Sequence, residues 1–109
     1  MLKATTDYNT ILERLRLIAE KCQSVELTYV FKDWNHRMQE EDIYTGQWIL
    51  DIITGVEYGS IEEQDEDLEV LVDRAVLKAE EILTDPEGYV KRIKERAREV
   101  LSSADQSFL

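Results

Sequence analysis

Between Val25 and Lys32 the side chains change character at every step: Val25, Leu27, Tyr29 and Phe31 alternate with Glu26, Thr28, Val30 and Lys32. A period of two sends successive side chains to opposite faces, the pattern of a half-buried strand. Its β-branched and aromatic residues suit a pleated surface. No other stretch constrains the fold as much, because a strand cannot stand alone; its backbone donors and acceptors need a partner.

The strong candidate for that partner lies at Thr45 to Gly55, where Trp48, Ile49, Leu50, Ile52 and Ile53 are bounded by Gly46 and Gly55. A short apolar run between glycines favours a buried strand. A helical reading rests on Ile49, Ile52, Ile53 and Val56, which share one stripe at helical spacing. Gly46 and the β-branched residues weaken it. The polar piece between the two runs, from Asp33 to Glu41, has no clear period and reads as a loop or a short helix.

Both ends of the chain read as helical. Thr6 or Asp7 can cap a first helix in which Tyr8, Ile11, Leu12, Leu15, Ile18 and Ala19 form the apolar face, ending near Lys21 or Cys22. From Ser60 onward a long helix is expected, with Ser60 and Glu63 as a capping box. Its stripe would be Ile61, Leu68, Leu71, Val72, Ala75, Ala79, Ile82 and Leu83, and the acids at 62–69 would crowd its first turns. Asp85 and Pro86 then open a last helix whose buried face would be Tyr89, Ile93, Ala97, Val100 and Leu101, with a frayed tail from about residue 103. The expected fold is therefore α+β, a single domain over residues 1–109. Its order is helix, strand, strand, helix, helix, with a short antiparallel β element packed on the helices. An all-α bundle of four helices is the alternative.

A chain of 109 residues, 43% hydrophobic and 34% charged, can bury a core and is too apolar for disorder. It has no run approaching a membrane span and no apolar N-terminal stretch. A single cysteine, Cys22, fits a reducing compartment, so a cytoplasmic location is expected. The net charge of −11 is unevenly distributed. Residues 1–39 are net +1 and residues 74–109 are neutral, while residues 40–73 hold twelve acids and no Lys or Arg.

Few arrangements in the sequence carry chemistry. Asp33, His36 and Glu40 would share a helical face as metal ligands, but one histidine in a polar stretch reads better as a surface residue. Asp65, Asp67 and Glu69 follow the start of a calcium loop, yet Val70 and Val76 occupy the positions of its glycine and its bidentate glutamate. Glu62-Glu63-Gln64-Asp65-Glu66 is similar to the first magnesium motif of the helical nucleoside triphosphate pyrophosphatases of the MazG type. Their second motif, Glu-x-x-Asp, is absent, since Glu69 to Asp73 and Glu81 to Asp85 are each one residue too long. A Cys22–His36 pair has no supporting signal, and the four glycines are too scattered for a phosphate loop.

The acidic stretch supports three readings: a solvated face, a surface neutralised by the cations of the last helix, and a docking surface. Six of the nine aromatic residues fall within residues 29–58; Trp34 and Tyr44 sit there in polar surroundings suited to contact hot spots. The leading expectation is a non-enzymatic inhibitor, adaptor or regulator that docks a basic protein partner, one version being a DNA mimic. The contact set would be Glu40, Glu41, Asp42, Glu57, Glu62, Glu63, Asp65, Glu66, Asp67, Trp34 and Tyr44. A magnesium-dependent nucleotide pyrophosphohydrolase is the enzyme alternative, and a homo-oligomer joined by acidic and basic faces is the structural one. No cofactor, metal or membrane contact is expected, nor direct nucleic-acid binding, which a chain this acidic would repel.

Overall fold

A computed structural model describes residues 7–107. Helix α1 (Tyr8–Ala19) is capped by Asp7, whose carboxylate accepts hydrogen bonds from the backbone N–H of Asn9 and Thr10; Thr6, the other cap candidate, lies outside the described residues. Ile11, Leu15 and Ile18 are buried as their spacing requires. Tyr8 and Leu12 are not: they flank the stripe and stay more than half exposed. The helix stops at Ala19, where Lys21 N–H to Ile18 and Cys22 N–H to Ala19 tighten the exit into short-range turns.

Five strands follow, β1 (Ser24–Val30), β2 (Trp34–Asn35), β3 (Glu40–Glu41), β4 (Gln47–Ile53) and β5 (Ser60–Asp65). β1, β4 and β5 form an antiparallel meander in that order, while β2 and β3 make a small hairpin in the excursion between β1 and β4. The alternating stretch and the glycine-bounded run are thus the paired strands that the pattern requires, with Leu27 opposite Leu50 and Val25 opposite Ile52. The polar 33–41 segment is this hairpin, turned by Asn35, whose side-chain oxygen accepts from Arg37 and Met38 N–H.

The expectation of helix from Ser60 fails. Residues 60–65 are strand, and helix α2 (Leu68–Thr84) starts behind Asp67, which caps it through Glu69 and Val70 N–H. The cause is the turn at 54–59, which folds the chain back onto β4. The buried Thr54 hydroxyl donates to Gly59 O, and Gly59 N–H donates to Val56 O. A Cβ at Gly59 would lie 2.3 Å from Thr54 Oγ1, so the turn closes only around glycine. Ile61 then lands opposite Ile52, and that pairing outweighs the weak strand propensity of the acids around it.

α1 and α2 lie side by side on one face of the meander. Leu68, Leu71, Val72, Ala75, Val76, Ala79 and Ile82 of α2 close over Leu50, Ile52 and Ile61. Leu50, Ile52, Leu71 and Val72 are fully enclosed, each contributing about 1.5–3 kcal/mol of burial free energy. The domain is α+β, not a four-helix bundle, and no described helix is long and apolar enough to cross a membrane.

Helix α3 (Pro86–Ser107) opens on Asp85, which accepts from Gly88 and Tyr89 N–H. The Tyr89 hydroxyl donates to Tyr58 O at 2.7 Å, and Tyr58 holds a left-handed φ of 62°, rare for a bulky residue. The expected buried face is realised only near this base. Tyr89, Val90 and Ile93 are half-buried, whereas Ala97, Val100 and Leu101 stand in solvent because no described element lies under them. The helix continues through Ser107, past the point where a frayed tail is expected; Phe108 and Leu109 lie outside the described residues.

Candidate docking surface

The meander has two unlike faces. On the covered side the register aligns Val25, Leu27 and Tyr29 with Ile52, Leu50 and Trp48, and these with Ile61, Glu63 and Asp65. On the open side it aligns Glu26, Asp51 and Glu62 in one row across all three strands, with Val30, Ile49 and Ile53 beside them. Strand parity therefore divides the acids of β5. Glu63 points inward, where it pairs with Lys78 and, at 3.0 Å, with Arg74; Asp65 meets Arg74 at 3.4 Å. The hydrogen bond from Lys78 is the main reason that the Glu63 carboxyl is held below the usual carboxylate range, against the opposing effect of its partial burial. Both residues serve the sheet–helix junction.

The rest of the expected contact set is scattered rather than joined. Glu40 and Glu41 lie exposed on β3; Asp42 braces its turn by accepting from Tyr44 N–H, and Tyr44 is half-buried. Trp34 is exposed on β2. Glu57 sits in the β4–β5 turn 3.9 Å from Lys94; Asp67 caps α2, and Glu66 is exposed just before it. The twelve acids of residues 40–73 therefore do not make one surface.

What the fold brings together is Glu62 with Asp51 and Glu26. Glu26 lies outside the acidic stretch, and only the β1–β4 register places it opposite Asp51. The alternation around Val25 shows that Glu26 faces away from the core, but nothing in the sequence fixes which residue it meets. Among the described residues no Lys or Arg is within ion-pair distance of these three carboxylates. Like charges directly opposite one another destabilise a sheet, so the row is an electrostatic cost that the fold leaves uncompensated. A second exposed group lies in the β1–β4 excursion: Phe31, Met38 and Ile43 are 83%, 62% and 74% exposed.

The catalytic options lose their geometry. Glu62 and Glu63 point to opposite faces of β5 and cannot share a magnesium ion. His36 sits in the β2–β3 turn, so Asp33, His36 and Glu40 share no helix face, and no group of three His, Cys, Asp or Glu is placed to hold a metal among the described residues. Cys22 packs against the core, where burial pushes its thiol up, away from the reactive thiolate. Comparison with protein families, curated proteins and solved structures finds no match, so the geometry alone carries the functional reading.

Proposed function

We propose that this protein is a non-enzymatic docking domain whose open sheet face engages a cationic patch on a protein partner. The observation that carries the reading is the row of Glu26, Asp51 and Glu62, without an ion-pair partner among the described residues, on a sheet face that no described helix covers. Folding alone would favour a neutral or alternating row; three carboxylates in register suit an incoming Lys or Arg cluster, which removes the repulsion on contact. Val30, Ile49 and Ile53 supply the apolar component. The row is only three strands wide, about 10 Å at the usual strand spacing. That suits a compact basic patch on an inhibitor's or adaptor's target better than a long DNA-binding cleft.

The test compares the wild-type chain with an Asp51→Lys/Glu62→Lys variant as baits. The wild type is expected to retain a basic protein that the variant loses, with retention falling as salt rises from about 50 to 300 mM. A partner held equally by both baits, or insensitive to salt, would refute the reading.

A further inference from the structure

α3 is the described helix that the domain leaves largely uncovered. Val90, Ile93, Ala97, Val100 and Leu101 recur at spacings of three and four and make one apolar stripe. Only its first turns touch the body. Beyond them Val100 and Leu101 are 63% and 65% exposed, while grooves of about 680 Å³ and 420 Å³ flank the first three turns, the first against Gly55 and Val56 and the second against Ile61 and Glu62. At 100° per residue, Lys94 and Arg98 border the stripe on one side and Arg92 and Arg96 on the other, while Glu95 and Glu99 lie behind it. Lys91, Arg96 and Arg98 have no ion-pair partner among the described residues.

The chain thus exposes an apolar stripe with cationic borders and, elsewhere, an apolar and anionic sheet face. We infer that α3 of a second copy covers the open face of the first, the contact being reciprocal about a two-fold axis. Arg96 and Arg98 would meet the Glu26–Asp51–Glu62 row, and Val100 and Leu101 would meet Ile49 and Ile53. A chain cannot make the whole of this contact with itself: of the row only Glu62, on the edge strand β5, lines the same groove as Arg92 and Arg96, and Asp51 and Glu26 lie beyond it. One residue, Asp85, separates α3 from α2, which lies on the covered side of the sheet; the Tyr89–Tyr58 hydrogen bond and the nearby Lys94 and Glu57 fix the base there. To reach its own open face the distal half would have to break the helix and pass around β5. The inference rests on the docking reading of that face and adds a regulatory consequence: self-association and partner docking exclude each other, so a partner must displace α3.

Sedimentation equilibrium of the full chain, with circular dichroism to check folding, tests this. At low salt the wild type is expected to dimerise, and raising salt to about 300 mM should weaken the dimer on the order of tenfold. Arg96→Glu/Arg98→Glu alone and Asp51→Lys/Glu62→Lys alone should each be monomeric, and mixing the two should restore a 1:1 heterodimer through two charge-matched contacts, one native and one reversed. A wild type that stays monomeric at millimolar concentration overturns the inference. So does a dimer untouched by the sheet-face variant, which would mean that α3 pairs with α3, or a mixture of folded variants that stays monomeric. A wild type that remains monomeric but binds anionic vesicles through α3 overturns it equally. Nona-arginine separates this inference from the docking reading: the monomeric Arg96→Glu/Arg98→Glu variant keeps its open face and should bind the peptide. If it does not, the docking reading falls whatever the dimer result. If it does while the wild type never dimerises, only the α3 contact falls.

Discussion

Neutralising the centre of the carboxylate row should stabilise the protein. Asp51 has Glu26 on one side and Glu62 on the other. Residues directly opposite in an antiparallel pair hold their Cβ atoms about 5 Å apart, and carboxylates that splay reach about 6 Å. At that distance and in the dielectric of water each repulsion is about 0.7 kcal/mol, and screening at physiological ionic strength roughly halves it. Asp51→Asn removes two such terms, giving a gain of about 0.7 kcal/mol at 0.15 M salt and about 1.1 kcal/mol at 0.01 M. Glu26→Gln removes one and should gain about half as much. Urea denaturation at the two salt concentrations measures the difference, and the melting point should rise by about 3 °C at the higher one. The ordering is the sharper criterion: if Asp51→Asn is neutral or destabilising at low salt, or gains no more than Glu26→Gln, the row does not repel as its register implies.

Other outcomes follow from the core and its junctions. Leu71→Ala, at a fully enclosed position, should cost about 3 kcal/mol by chemical denaturation. Gly59→Ala should cost about 2 kcal/mol or more by the same assay, since its Cβ would press on Thr54 Oγ1 and on Val56 O at 2.8 Å. Because the folded protein holds the Glu63 carboxyl below its ordinary value near 4.5, its contribution is present above that value and lost as pH falls through the depressed one. Stability measured from about pH 5 down to pH 3 should therefore fall less steeply in Glu63→Gln than in the wild type. Cys22 should react with iodoacetamide at neutral pH several-fold more slowly in the folded than in the unfolded chain, as followed by mass spectrometry.

The sequence made the strands at 24–30 and 47–53 legible because their signals were local: alternation in one, glycine-bounded apolar residues in the other. Asp67 and Asp85 punctuate the helices as short polar residues do. The strand at 60–65 was hidden because Ser60 and Glu63 mimic a capping box and because three of the strand's six residues are acids. What made it a strand was the turn at 54–59 and the Ile52–Ile61 pairing, neither of which is a property of the segment itself. The candidate surface failed to show for a related reason. Proximity in sequence joined Glu62 to Glu63, whereas parity set them on opposite faces. The true neighbour of Glu62 is Asp51 on β4, with Glu26 beyond it on β1. The apolar stripe of α3 was legible as a stripe, but a stripe says that a helix will be covered without saying by what.

The attachment of α3 has a mechanical consequence. Its 22 residues span about 33 Å, and the anchoring contacts lie within its first turns. A rotation of about 10° at the base would carry the far end about 6 Å, roughly one helical turn. The left-handed Tyr58, whose carbonyl receives the Tyr89 hydroxyl, is thus the fulcrum of a lever. A small adjustment in the 54–59 turn is amplified into a sideways displacement of several ångströms at the opposite end of the helix.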